Sequence, residues 1–520
     1  LRNLAITITG SLLLYFAWPE SNLTFIIFIA WIPLLWVEAQ TRNWKRFFGY
    51  AYLHMFIWNI STTWWIWNAS PAGSLGAFFA NSLLMCIPWL LFRITKNNLG
   101  RWIGYSSLII YWLTFEYIHH NWDLTWPWLT LGNAFAAKPE WVQWYSFTGT
   151  TGGSLWVLLV NILIYSVWME YKRAGRSKLY FAGMVCAGLL LALPILLSKQ
   201  KQVDETTPAA NIVVVQPNVD PYIKFRQGME EEQLRNLILL SEGMIDEHTN
   251  LVVWPETAIP LQTDEKTIKE NPFYQQVFSF LKRHPHLNLL SGVEGYQVFD
   301  KKNSINSREI ESQPGLYYES YNSAVIFDST SYQVYHKSKL VPGVEKLPGF
   351  LKFLDKLFEK FGGTTGGYSP QDERTVLRAT NSGIRIAPAV CYESIYSDFM
   401  TGFIRNGANL ICIITNDAWW GETPGHRQHL QYARLRAIET NRWIARSANT
   451  GISCFIDPNG NIINPQAWDT RSAIQLQVPL VQTQTFFVKH GDMLSRAVSV
   501  VSVLLLLINI FAWIRRKRAR

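Results

Sequence analysis

Apolar and polar positions divide this chain into two kinds of sequence. Residues 1–198 are apolar runs broken by short polar loops, whereas residues 200–490 alternate short apolar runs with helix-periodic polar stretches. A last apolar run, 493–514, leads into Arg515-Arg516-Lys517-Arg518. A helix crosses a bilayer with about 20 mostly apolar residues. That length predicts spans near 4–19, 23–38, 47–67, 74–92, 102–120, 152–170, 179–197 and 493–514. Only Glu20-Ser21-Asn22 separates the first two, which read as a helical hairpin. No small-residue cleavage site follows 4–19, so it reads as a span and not as a signal peptide.

Between the last two spans the pattern changes period. Near-continuous apolar runs at Ile212–Val215, Leu251–Trp254, Leu287–Ser291, Ala324–Phe327, Ile384–Val390, Leu410–Thr415 and Trp443–Arg446 suit strands covered on both faces. Helical spacing marks Met229–Met244, Pro272–Lys282 and His426–Thr440. Such alternation predicts a layered α/β domain. The expected organisation is a membrane domain of about seven helices at 1–198, a soluble domain at 204–486 and a final span at 493–514.

Charge orients this layout. Arg42, Lys45 and Arg46, then Arg93, Lys96 and Arg101, then Lys172, Arg173, Arg176 and Lys178, and finally the basic tail all fall on one side of an eight-span chain. Basic loops mark the cytoplasm. The expected location is therefore a bacterial inner membrane, crossed many times, with both termini cytoplasmic and the soluble domain periplasmic. The net charge of +9 comes largely from these loops, and no nucleic-acid motif accompanies it. Trp122, Trp126, Trp128, Trp141 and Trp144 crowd one outer loop, where an interfacial aromatic belt explains most of them.

Candidate chemistry lies where strand-like runs enter loops. Trp254-Pro255-Glu256, Tyr335-His336-Lys337 and Val390-Cys391-Tyr392-Glu393 place a carboxylate, an ammonium and a thiol at three such points. Together these are the parts of a thiol acyl-transfer site. Cys86 and Cys186 fall in predicted spans and Cys412 and Cys454 in strand-like runs, so the odd set of five predicts no disulfide framework. Cys391 alone could be a buried strand cysteine, but a free thiol in an exported domain reads better as a reagent. His119-His120 and the pair His426/His429 are the most suggestive histidine groupings, and neither shows an evident carboxylate or thiol set, so no metal site and no cofactor are expected. In Gly343–Phe361, apolar positions recur at helical spacing, among them Leu354 and Phe358, between Lys346, Lys352, Lys356 and Lys360. That pattern predicts a basic amphipathic helix, either at a lipid interface or as a lid, or else packed on the core.

The order Glu, Lys, Cys resembles the triad of the nitrilase (carbon–nitrogen hydrolase) superfamily. The flanking spans narrow the resemblance to its membrane-embedded branch, the apolipoprotein N-acyltransferases. Tyr321-Asn322, Leu340-Val341-Pro342, Asn416-Asp417-Ala418-Trp419, His429-Leu430-Gln431 with Ala433-Arg434, and Arg446-Ser447-Ala448-Asn449 extend the likeness over nearly the whole chain. The resemblance implies an αββα sandwich inserted between the seventh and eighth spans. It implies Glu256 as base, Cys391 as nucleophile, and Lys337 with the Tyr392 N–H as oxyanion donors. Asn322, Glu345 and Glu393 are supporting candidates; the two acids could orient Lys337 or an incoming amine, or serve as structural ion-pair partners. Trp128, Phe225, Leu354 and Phe358 are candidates for a lipid entrance. The implied donor is a phospholipid, typically phosphatidylethanolamine, and the implied acceptor is a diacylated apolipoprotein, handled by a monomer among membrane lipids. The chain departs from the family at Pro342-Gly343-Val344-Glu345, at Gln216-Pro217-Asn218 and at Lys224-Phe225, all in loops. A membrane-tethered amidase using water shares the same triad, and a transporter with a large outer domain is a second alternative.

Overall fold

The computed structural model describes all residues except 203–205, 227, 347–348, 350–366 and 519–520. Leu354, Phe358 and most of the basic amphipathic stretch lie outside the described residues. The chain forms two compact units, one of Leu1–Trp64, Ala72–Gln200 and His490–Arg520, the other of Trp65–Pro71 and Lys201–Lys489.

The first unit is helical. It contains α1 (Arg2–Phe16), α2 (Ile32–Gln40), α3 (Trp44–Thr63), α4 (Pro71–Leu99), α5 (Arg101–His119), α6 (Tyr145–Ala174), α7 (Lys178–Leu196) and a last helix, Met493–Arg518. Among the described residues, α4, α6, α7 and the last helix are the four that are long and apolar enough to cross a membrane. The sequence pattern anticipates eight such segments, and the difference is local. Helix α1 has only 15 residues. The second run breaks into a 3-10 turn, Thr24–Phe28, before α2, so the expected hairpin of two continuous helices does not form. Asn161 of α6 repairs that break by accepting from Trp31 N and donating to Ile27 O, both at 2.9 Å. Freed backbone groups inside an apolar unit need such partners. Trp31 also packs among Trp58, Trp89 and Trp112, with ring centroids at 5.8, 5.4 and 4.8 Å. The connection between α5 and α6 is a chain of 3-10 turns, Pro127–Leu129, Leu131–Ala137 and Pro139–Trp141, and not an open loop.

The second unit holds two sheets. One has the order β14-β1-β2-β4-β6-β5, with β3 on β4 and β7 on β6. Its members are β1 (Ala209–Gln216), β2 (Thr249–Val253), β3 (Ile259–Asp264), β4 (Asn288–Phe299), β5 (Arg308–Glu309), β6 (Tyr317–Phe327), β7 (Tyr332–His336) and β14 (Ser472–Pro479). The other has the order β13-β12-β11-β10-β9-β8 and comprises β8 (Leu377–Arg378), β9 (Arg385–Val390), β10 (Leu410–Thr415), β11 (Ile444–Ala448), β12 (Cys454–Ile456) and β13 (Ile462–Ile463). The central strands β1, β2 and β4, and likewise β9, β10 and β11, run parallel. Each expected strand run falls within a strand or within one residue of it.

Alternation along the strands sorts the core. Val213, Val215, Val252, Leu289, Val325 and Phe327 face one way and bury Leu234 and Leu237 of α8 (Glu230–Glu242) and Val277, Phe280 and Leu281 of α9 (Gln275–Arg283). The opposite face meets the second sheet, where Ser447 Oγ donates to Val215 O at 2.7 Å. Helices α10 (Ser397–Arg405) and α11 (Pro424–Thr440) accompany the second sheet, completing the expected αββα layering.

Segment Trp65–Pro71 packs into this unit although it lies between α3 and α4 in the chain. The Trp65 ring sits edge-on to Trp420 at 4.9 Å, and Asn68 Nδ2 donates to Trp420 O at 2.9 Å. A side chain at Gly425 would come within 2.6 Å of the Trp65 ring, so glycine is required there. The sequence pattern gives no hint of this docking, because Trp65 reads as the end of a span.

Candidate active site

Parallel strands deliver their loops to one end of a sheet, and the site is built there. Glu256 follows β2, Lys337 follows β7, Cys391 follows β9 and Asn416 follows β10. The structure brings Glu256, Lys337, Asn322 and Glu345 into one hydrogen-bonded group. Glu256 Oε1 accepts from Asn322 Nδ2 at 2.8 Å and lies 3.3 Å from Lys337 Nζ. Its Oε2 accepts from Asn416 N at 3.1 Å. Lys337 Nζ donates to Glu345 Oε1 at 2.8 Å, which also accepts from Asn322 at 3.1 Å. Glu345 Oε2 is fixed in turn by Val341 N at 2.8 Å.

Lys337 is 1% exposed. Burial alone would lower its pKa, but Glu345 first and then Glu256 outweigh it and hold the ammonium well above its ordinary value. Lys339 lies apart, with its ammonium 5.0 Å from the Tyr396 ring. Of these two lysines, Lys337 is the one that meets Glu256 and Glu345.

Cys391 has φ 51, a left-handed conformation that non-glycine residues rarely adopt. Such strain persists only where the surroundings hold it. Ser394 Oγ and His429 Nε2 meet the Cys391 carbonyl oxygen at 2.8 and 3.1 Å. Cys391 opens a 3-10 turn, Cys391–Ile395, and α10 begins only at Ser397. No α-helix N-terminus therefore acts directly on the thiol. Desolvation, then Glu256, push the thiol pKa up, while Lys337 opposes them. Glu256 and Lys337 are thus charged groups that act on the thiol in opposite senses.

Glu393 does not bond Lys337. Its Oε1 accepts from Tyr335 OH at 2.6 Å, Ser338 N at 2.7 Å and Lys339 N at 3.2 Å, and its Oε2 accepts from Val390 N at 2.8 Å. One carboxyl group thereby ties the chain around Lys337 to the strand end that carries Cys391. Burial raises it to about 7, against the pull of these donors. Tyr392 is buried with its ring edge-on to Tyr396 at 5.3 Å.

Behind Cys391 lies a buried cluster whose geometry the sequence does not show. Asp417 Oδ2 meets Arg446 at 2.6 Å, and its Oδ1 meets His429 Nδ1 at 3.0 Å and Thr415 Oγ1 at 2.8 Å. His429 thus has a carboxylate partner after all, supplied from twelve residues earlier. No set of three His, Cys, Asp or Glu suited to a metal occurs among the described residues. All five cysteines are free.

Of the expected lipid-entrance residues, Phe225 is half exposed and lies in the second unit. Trp128 is buried in the helical unit, stacked on Trp126 at 5.6 Å.

Residues 212–486 match the carbon–nitrogen hydrolase family, and residues 10–163 match the apolipoprotein N-acyltransferase N-terminal domain. The apolipoprotein N-acyltransferase of Chlorobaculum tepidum is 30% identical over 490 residues, 92% of this chain and 90% of that protein. The chain belongs to the apolipoprotein N-acyltransferase family. The enzyme of the same name from Rickettsia prowazekii is 27% identical over 501 residues, 91% of each chain. Both likenesses run through the helical and the α/β units, so the family relation covers the whole layout and not the hydrolase-like unit alone.

Proposed function

We propose that this chain carries out lipoprotein N-acylation by a two-step transfer through Cys391. The observation that carries the reading is the strained Cys391 facing the Glu256–Lys337 pair, within a chain of this family. In the first step Glu256 takes the thiol proton and the sulfur attacks an ester carbonyl of a phospholipid. Lys337 and the Tyr392 N–H stabilise the oxyanion. The ester C–O bond breaks, the alcohol oxygen of the lysophospholipid leaves with the proton from Glu256, and a thioester remains. In the second step the α-amine of diacylglyceryl-cysteine attacks that thioester. Glu256 takes an amine proton, the C–S bond breaks, and the thiol is restored. Dividing the transfer this way replaces one hard step by two easier ones.

Each neighbour has a task in this scheme. Asn322 and Asn416 N aim the carboxylate of Glu256, and Glu345 holds Lys337 in the same pocket. Glu393 fixes the relative position of the lysine and cysteine loops. Phosphatidylethanolamine is the proposed donor and a diacylated apolipoprotein the acceptor. One chain supplies every group, so a monomer suffices. Water as acceptor is the rival outcome, and it would make the protein an amidase-like hydrolase.

The proposed topology has eight membrane segments, both termini cytoplasmic and the α/β unit periplasmic, from the loop charges. Single cysteines at the exposed positions Ala174 and Glu270, in a background where Cys186 and Cys391 are replaced, test it in intact cells. A membrane-impermeant maleimide is expected to label position 270 and spare 174. Labelling at 174 would reverse the orientation.

A further inference from the structure

Lys224 is a buried amine to which the two-step scheme gives no task. It sits in the loop between β1 and α8 and is 1% exposed. Its Nζ donates to Glu256 O at 2.9 Å and to Thr257 Oγ1 at 3.0 Å. Fully buried amines are rare unless paired, so this one repays attention. Its own backbone is held as well: Lys224 N donates to Asp220 O at 3.0 Å, and Gln233 Nε2 of α8 donates to Lys224 O at 2.8 Å.

What Lys224 grips is a strained turn. Thr257 has φ 44, in the left-handed region. On its other side the turn presses on β4, where a side chain at Gly292 would come within 2.3 Å of Thr257 N. Gly292 N donates to Pro255 O at 3.1 Å. The Glu256–Thr257 backbone is therefore held between β4 and the Lys224 ammonium.

We propose that Lys224 is a positioning residue for the base: its ammonium fixes the Glu256–Thr257 turn and so aims the Glu256 carboxylate at Lys337 and Cys391. The inference rests on Glu256 being the base. The charge pattern agrees with it. Burial lowers the Lys224 pKa to about 8, while Glu256 and Glu294 pull it upward. Glu294 in turn accepts from Tyr368 OH at 3.4 Å. Around the Glu256 carboxylate stand Lys337, Glu345, Cys391 and Tyr368, so Lys224 is the second cation of a group with several acids.

The test measures thioester formation by the full-length protein in detergent with phosphatidylethanolamine vesicles. Lys224→Met keeps the chain length and removes both donors and charge. It is expected to slow loading by about tenfold to a hundredfold, as a small misplacement of a catalytic group does. The lipid concentration at half-maximal rate should not change. Lys224→Arg should restore most of the rate. Thr257→Val should slow loading in the same direction, and the double variant should be little worse than Lys224→Met, since both cut one tether.

Loading of Lys224→Met at the unmodified rate would overturn the proposal. So would a change confined to the lipid dependence, which would make Lys224 a substrate contact. If Lys224→Met does not fold, Thr257→Val decides, and an unchanged rate there overturns the proposal. Glu256→Gln separates the two levels. Normal loading by Glu256→Gln would remove the base assignment itself, whereas a dead Glu256→Gln with normal Lys224→Met and Thr257→Val would remove only this inference.

Discussion

Lys337→Met is expected to slow thioester formation by roughly a hundred- to a thousandfold, the cost of losing one oxyanion donor. The loss should appear in the rate of loading and not in lipid affinity, because Lys337 is buried and acts on charge that develops during attack. The same change leaves Glu256 and Glu345 as neighbouring acids, both bonded to Asn322 and without the cation between them. The variant should therefore also lose stability, by about 3–5 kcal/mol at neutral pH, as when one partner of a buried ion group is removed. Single-turnover loading followed by mass spectrometry reads the first effect, and thermal unfolding in detergent reads the second.

Asp417→Ala is expected to have the largest effect on stability, again about 3–5 kcal/mol, because it strands a buried guanidinium. Arg446 and Asp417 are both fully buried and 2.6 Å apart. Burial raises the Asp417 pKa, but Arg446 and then His429 outweigh it and hold the carboxyl well below the usual carboxylate range. The sign follows from linkage: a depressed folded pKa gives stability that is present above the unfolded value, about 3.9, and is lost as pH falls below it. The parent and Asp417→Ala should thus differ fully at pH 7 and converge only in strong acid. A constant gap between pH 7 and pH 2 would show that packing, not charge, sets the difference. Loading should slow as well, since His429 bridges Asp417 to the carbonyl of the strained Cys391.

Much of this could be read from the chain. The strand runs of the α/β unit are short, nearly continuous and bounded by loops, and both faces of each sheet are covered, which makes the pattern unambiguous. Glu256, Lys337 and Cys391 stand out because each ends such a run within a recognisable frame. The groups that hold them do not stand out. Asn416 acts on Glu256 through a backbone N–H, which no side-chain pattern encodes. The left-handed φ at Cys391 and Thr257 depends on contacts from β10, α11 and β4, far along the chain. His429 looks like one residue of a helix face until Asp417 and Arg446 arrive from other strands. In the helical unit, hydropathy finds the apolar stretches but not the break before α2, because Asn161 satisfies that break from more than a hundred residues away. Hydropathy likewise runs the third span through Trp65, whose ring packs against Trp420. Most of the stretch Gly343–Phe361, expected as a basic amphipathic helix, lies outside the described residues.

The most direct measurement is the intact mass of the purified protein after incubation with phosphatidylethanolamine of defined chains. A single added acyl mass is expected, sensitive to neutral hydroxylamine and missing in Cys391→Ala. A diacylated lipopeptide with a free α-amine should then remove it and gain the same mass, while its N-acetylated form should leave it in place. Acyl transfer to the lipopeptide by Cys391→Ala would contradict the covalent route, and discharge by water as fast as by the amine would contradict the acyltransferase reading.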